Sequence, residues 1–176
     1  LPPGVCDLEA LFYAGGFSMS TLTDKVQDFL AQDRIAVAGV SRSEKGAAAN
    51  SIYVKLKSTG HTVFAINPNA ESVQGDPAYP DLASIPGGVT ALVIATKPDA
   101  TELLVKQAAD AGVSRVWMHH AAHSFGTSVS PAAVQFCQEH GISCIAGACP
   151  MMYCQPVDFG HKCMKFFMGV GGKLPE

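Results

Sequence analysis

The stretch Arg34–Gly46, RIAVAGVSRSEKG, constrains the fold more than any other part of the chain. Ile35, Ala36, Val37 and Ala38 form a short apolar run that reads as a buried parallel strand. Gly39 then breaks the run into a small, polar and basic loop holding Ser41, Arg42, Ser43, Lys45 and Gly46, and a helix-like segment follows. Strand, small-residue loop and helix start, in that order, aim backbone N–H groups and a helix N-terminus at a phosphate. The stretch therefore reads as a nucleotide-cofactor site.

The rest of the chain repeats the alternation. Thr21–Gln32 places Leu22, Val26, Phe29 and Leu30 on one helical face, with Thr21 or Thr23 as N-cap. Ala47–Thr59 carries Ala48, Ile52 and Leu56 four apart before Gly60, and Thr62–Ile66 reads as a second strand ended by Asn67-Pro68. The connection 69–90 is rich in Gly and Pro, with a short helix expected near Asp81–Ser84. Ala91–Thr96 is a third strand, and Pro98, Asp99 and Glu102 suit the start of a helix that packs Leu104, Ala108 and Ala111 inward and stops at Gly112. Arg115–His119 and Ile142–Ala146 are strands four and five, flanking a helix that opens at Ser130-Pro131. Alternating strands and helices imply right-handed crossovers between parallel strands. The expected fold is α/β, a Rossmann-like doubly wound parallel sheet of about five strands in one domain with a C-terminal helical extension. The expected divisions are 1–18 as a leader or N-terminal arm, 19–150 as the sheet domain and 151–176 as a Cys-, Met- and Phe-rich tail.

In open sheets of this type, ligands lie beyond the carboxyl ends of the strands at the switch point in strand order. The residues there are Gly39, Val40, Ser41, Arg42 and Lys45, then Asn67, Pro68 and Asn69, then Thr96, Lys97 and Pro98, then His119 and His120. Taken singly, each has an ordinary explanation: Gly39 as a turn, Arg42, Lys45 and Lys97 as solvated cations. Converging on one sheet edge, they suit a ligand that carries a pyrophosphate. Dinucleotides and ATP fit less well. The glycine spacing is not G-x-G-x-x-G, the second strand ends in Asn67-Pro68 instead of an acidic residue for a ribose diol, and no G-x-x-x-x-G-K-[ST] loop occurs.

The series GVSRSEKG, TVFAINPN, GDPAYPDLASIP, ALVIATKPD and RVWMHH, in that order and spacing, resembles the CoA-binding domain family. That family is similar to the N-terminal domain of the succinyl-CoA synthetase α subunit, here standing alone over about Ala31–Met151. The resemblance implies coenzyme A or an acyl-CoA as ligand. It implies phosphate contacts from Gly39, Val40, Ser41, Arg42 and Lys45, with Asn67, Pro68, Thr96, Lys97, Pro98 and His120 completing the site. The chain departs from the family at His119-His120 and in its Cys-rich tail, both of which concern the thiol end of the ligand. CoA has no second ribose, so the missing acidic residue is no loss, and its phosphates call for amides and charge-assisted bonds from cations. No stretch reads as a second domain that would deliver a nucleotide, so binding without catalysis is expected. The alternatives are a dehydrogenase or ligase-like enzyme using His119 or His120 as acid–base, and a regulatory protein with a vestigial pocket.

Composition bounds the partners. Net charge is −3, with a pI near 6.1, which argues against nucleic acid, and no apolar stretch approaches a membrane span. Without a recognisable signal peptide, the 6 cysteines are expected to be reduced thiols in a cytoplasmic protein. His119, His120, His123, Cys149, Cys154, His161 and Cys163 invite a metal reading, but they lack the short paired ligands of structural zinc. Cys149 is the candidate for a mixed disulfide with the CoA thiol, which needs a lowered pKa. In the tail, Phe159, Cys163, Phe166, Phe167 and Val170 recur at helical intervals. They form either a helix covering the sheet or, as preferred here, a homodimer interface. Residues 1–18 mix Pro, Gly and aromatics without period and are read as an added leader or as an arm packing through Leu8, Leu11, Phe12 and Tyr13.

Overall fold

The computed structural model describes residues 21–43, 48–120, 126–172 and 174–175. The expected leader, Lys45 and His123 lie outside them. Helix α1 (Leu22–Leu30) opens on a reciprocal cap: the Thr21 hydroxyl accepts from the Asp24 N–H while the Asp24 carboxylate accepts from the Thr21 N–H. Strand β1 (Arg34–Ala38) is buried from Ile35 onward, as its unbroken apolar run requires. Helix α2 (Ala48–Ser58) and strand β2 (Thr62–Ile66) complete the first crossover, and β2 pairs parallel to β1 from Arg34↔Thr62 to Ala38↔Ile66.

The connection 69–90 is not all loop. It holds strands β3 (Ser72–Val73) and β4 (Asp76–Tyr79), antiparallel to each other, with β4 adding parallel to β2. The short helix expected near Asp81–Ser84 is a turn, in which the Asp81 carboxylate accepts from both the N–H and the hydroxyl of Ser84. That local side-chain bonding competes with helix formation.

Strand β5 (Ala91–Ile94), helix α3 (Pro98–Asp110), strand β6 (Arg115–His119), helix α4 (Pro131–Glu139) and strand β7 (Ser143–Ala148) form the second half. The strand order is β3-β4-β2-β1-β5-β6-β7, so the sheet has seven strands and is parallel apart from the β3–β4 pair. It extends the expected five by the hairpin. The chain steps from β1 to β2 on one side and returns to β5 on the other. The switch point therefore lies between β1 and β5.

Side chains alternate into two cores. Ile35, Val37, Val93, Trp117 and Ile145 pack under α1 and α2 on one face, and Ala36, Ala38, Leu92, Ile94 and Met118 pack under α3 and α4 on the other. Of α3, Leu104 and Ala108 face inward as expected, joined by Thr101 and Val105, while Ala111 is the exposed C-cap. After β7 a 3-10 turn (Pro150–Met152) leads to α5 (Phe159–Val170), capped by Asp158. Met168 of α5 is buried in the first core, whereas Phe159, Phe166, Phe167 and Val170 are exposed. Most of the apolar set that recurs at helical intervals in the sequence therefore points away from the sheet and does not cover it. No helix among the described residues is long and apolar enough to cross a membrane.

Candidate functional site

Gly39 ends β1 with φ +100, a conformation that favours glycine. A Cβ here would sit 2.5 Å from the Ala95 carbonyl oxygen, so the loops after β1 and β5 meet backbone to backbone. The Ala95 N–H also donates to the Ala38 carbonyl at 3.0 Å. This contact divides the carboxyl edge into two cavities that share Gly39 and Thr96 as walls.

The first cavity, about 560 Å³, is lined by Gly39, Ala48 and Ala49 at the start of α2, Thr96, Lys97 and Pro98 at the start of α3, His119 at the end of β6, and Thr127 and Ser128. The second, about 410 Å³, runs toward β2 and is largely apolar, with Val40, Ile66, Pro68, Pro80, Ala100, Leu103 and Leu104 joined by Asn67 and Gln107. Two helix N-termini thus border the junction. Lys97 is the N-cap residue of α3 and makes no side-chain cap. A cation at the positive end of a helix is unfavourable by itself, and an anion beside it relieves both charges.

The loop after β1 is held from beneath by a residue that sequence reading missed. Asn50, buried on α2, accepts from the Ser41 N–H at 2.8 Å and donates to the carbonyls of Ser41 and Ser43 at 3.1 and 2.6 Å. Asn67 donates to the Val40 carbonyl at 2.8 Å, and Gln74 of the β3–β4 turn reaches the Ser41 carbonyl at 3.2 Å. Asn50 sat in a helical pattern as an unremarkable polar residue. No signal short of the fold marks it.

The segment after β6 is clamped likewise. The Ser128 hydroxyl donates to the Thr96 carbonyl at 2.6 Å, the buried Thr101 hydroxyl donates to the Ser128 carbonyl at 2.8 Å, and the Ser130 hydroxyl reaches Glu102 at 2.8 Å. These bonds fix the far wall of the first cavity to the start of α3.

Apart from Lys45, which lies outside the described residues, the expected site residues fall into two groups. Gly39, Val40, Asn67, Pro68, Thr96, Lys97 and Pro98 line one or both cavities. Val40 is fully buried, and the Ser41 N–H is already bonded to Asn50. Ser41, Arg42 and His120 line neither cavity: Arg42 is exposed, and His120 bridges Thr127 across the loop. Its neighbour His119 takes the cavity position. The pairing with β7 shifts here, Met118 facing Ala146 and His119 facing Ala148, so that Gly147 is the extra residue of β7.

His119 is only 4% exposed, and its imidazole is held down to a pKa of about 4, first by burial and then by His120 and His161. It is neutral at physiological pH. Burial pushes the Cys149 and Cys154 thiols up to about 11 each, with the Met151 and Met152 N–H groups pulling the other way only at Cys149. That direction opposes the mixed-disulfide reading, which needs thiolate at neutral pH. The five cysteines among the described residues are unpaired. No three His, Cys, Asp or Glu side chains among the described residues gather as metal ligands would.

A crevice at the switch point of a doubly wound parallel sheet, bordered by two helix N-termini, defines a Rossmann-like ligand-binding domain. The chain belongs to the CoA binding domain family, whose profile matches residues 33–155. It is similar in structure to a hypothetical protein from Pyrococcus horikoshii, with a TM-score of 0.68 and 26% identity over 75% of this chain and 89% of that one. A Thermus thermophilus protein aligns with a TM-score of 0.60 and 21% identity over 71% of this chain and 90% of its own. A dinucleotide-forming acetyl-coenzyme A synthetase from Ca. Korarchaeum cryptofilum shares the fold at a TM-score of 0.54 and 22% identity, over 64% of this chain and 25% of that longer one.

Proposed function

We propose that this protein binds coenzyme A or an acyl-CoA at the carboxyl edge of its sheet, holding the ligand without converting it. The observation that carries the reading is the junction at Gly39 and Thr96, where two cavities meet between the N-termini of α2 and α3 with Lys97 beside them. The apolar cavity suits the adenine base, the junction suits the diphosphate, and the more polar cavity suits the amide-bearing arm. Family membership supports the same ligand.

Calorimetric titration with CoA, NAD and ATP tests it. CoA is expected to bind, and tight NAD binding without CoA binding would sink the idea. Arg42 is exposed at the rim of the first loop, free to swing toward the phosphates. Arg42→Ala is expected to weaken CoA by about 1.5–3 kcal/mol through loss of a charged hydrogen bond. An unchanged dissociation constant removes Arg42 from the site.

The homodimer expected through the tail belongs to this reading, supported by the exposed Phe159, Phe166, Phe167 and Val170 of α5. Light scattering is expected to give twice the 18.4 kDa chain mass. A Phe166→Ser/Phe167→Ser variant should return the single-chain mass, and a wild-type protein already at that mass removes the dimer.

A further inference from the structure

Beyond the junction at Gly39 and Thr96, the second cavity follows α3 away from the phosphate seat. Ala100, Leu103, Leu104 and Gln107 line it from α3, at the i, i+3, i+4, i+7 spacing of one helical face. Ile66, Pro68 and Pro80, at the ends of β2 and β4, supply the rest of the apolar wall. Leu103 is 60% exposed, so a flat ring laid in this slot would take it out of water.

The polar groups of the slot differ in what they already hold. Asn67 uses both ends of its amide, donating to the Val40 carbonyl and accepting from the Asn69 N–H, each at 2.8 Å. The Thr96 hydroxyl stays at the junction, donating to the Lys97 carbonyl at 3.3 Å. Asn69 is exposed at the carboxyl edge, beside the phosphate seat. The half-buried Gln107 side chain stands at the far end of the α3 face and has no hydrogen-bond partner among the described residues. Its oxygen and its NH2 are both open to a ligand.

Reach and charge say which part of a ligand arrives there. Gln107 lies about two and a half turns past Pro98, roughly 13 Å of helix axis, and its side chain leans back toward the N-terminus. A ribose and a purine, laid end to end from a diphosphate at the start of α3, cover that distance. Past Gln107 the groove passes into a third cavity, about 400 Å³, whose walls carry Asp81 and Asp110. Those carboxylates repel a phosphate, so the end of the ligand that reaches Gln107 is a neutral one. Adenine presents its N6 amino donor beside a ring-nitrogen acceptor, a pair that a carboxamide meets with its oxygen and its NH2.

We infer that Gln107 reads the base of the ligand, its oxygen accepting from the adenine N6 amino group and its NH2 donating to the adjacent ring nitrogen. The inference rests on the CoA reading above and deepens it, making Gln107 the specificity-determining residue for the base.

The test is titration of the full chain with CoA, with a CoA analogue that carries hydrogen in place of the N6 amino group, and with 4′-phosphopantetheine, which lacks the adenosine. Wild-type protein is expected to prefer CoA over the analogue about fivefold, the worth of one hydrogen bond. Gln107→Leu should weaken CoA about tenfold, bring CoA and the analogue within twofold of each other, and leave phosphopantetheine affinity unchanged. Gln107→Ala removes the amide without adding apolar bulk and should behave alike, standing in should the Leu variant fail to fold by circular dichroism. Equal affinity of wild-type protein for CoA and the analogue overturns the inference and leaves the CoA reading in place. A preference that survives in Gln107→Leu also overturns it, and its loss in Asn69→Ala would then put the base reader at the end of β2. Equal weakening of CoA and phosphopantetheine by Gln107→Leu overturns it too, because the change then acts through α3 and not through the base. Binding of neither CoA nor phosphopantetheine by wild-type protein removes the CoA reading and this inference together.

Discussion

Replacing Gly39 by alanine is expected to lower folding stability by about 3–5 kcal/mol, combining left-handed backbone strain with a backbone overlap that no rotamer can relieve. The added Cβ would lie 2.5 Å from the Ala95 oxygen, 3.0 Å from its carbonyl carbon and 3.2 Å from Thr96 Cγ2. Backbone on both sides leaves only one escape, separation of the β1 and β5 loops, which breaks the Ala95 N–H bond to Ala38. Because the two loops are also the shared wall of both cavities, ligand affinity should fall with stability. Gly60→Ala is the matched control: φ there is +97, yet nothing lies within 4 Å of its Cβ. It should cost only the strain, about 1–2 kcal/mol. Urea denaturation of the two variants checks this. Equal midpoints would show that the close approach at Ala95 contributes nothing.

Trp117→Ala is expected to cost about 3–5 kcal/mol, the usual loss for emptying a large aromatic from a core. Trp117 is fully buried, with its ring edge-on to Phe29 at 5.3 Å and tilted to Tyr153 at 5.7 Å. Its indole N–H donates to the Ala148 carbonyl at 2.9 Å. Ala148 is also the partner of His119 across the register shift, so the Trp117 bond ties the end of β7 to the strand that carries His119 to the cavity wall. The alanine variant should therefore lose ligand affinity along with stability, measured by urea denaturation and calorimetry. Trp117→Phe keeps most of the ring and gives up the N–H, and should show the smaller part of both losses. Full ligand affinity in a folded Trp117→Ala protein would separate the indole from the site.

The parallel core was legible because strands covered on both faces must be apolar throughout. Ile35–Ala38, Ala91–Ile94 and Arg115–His119 announce themselves as runs, and Thr21, Pro98 and Ser130-Pro131 mark helix starts by chemistry that operates within a turn. The β3–β4 hairpin was not legible. Its strands are two and four residues long, only partly buried, and contain Pro77, so they carry no period and hold their form through pairing with each other and of β4 with β2. The sequence left the α5 face open between covering the sheet and meeting a second copy, for a related reason. Helical spacing identifies a stripe of apolar residues but not whether the sheet or the solvent lies on that side.

Within the site, the loop glycine and the proline-marked strand ends could be read directly, since a broken apolar run and a helix start are local events. The side chains that support them could not. Asn50 serves Ser41 and Ser43 only because α2 folds back over β1. That His119 and not His120 lines the first cavity depends on where β6 ends in the assembled sheet, which its own residues do not record. The chain by itself determined that strands and helices alternate, that the first strand breaks at a glycine, and that cations and small residues follow the strand ends. Only the tertiary structure decided that β1 and β5 are neighbours, that Gly39 and Thr96 form one wall, and that a neutral histidine closes the cavity. Periodicity records which face of an element is covered. Which element covers it is settled by long-range packing, where burial of both faces of the sheet selects one strand order.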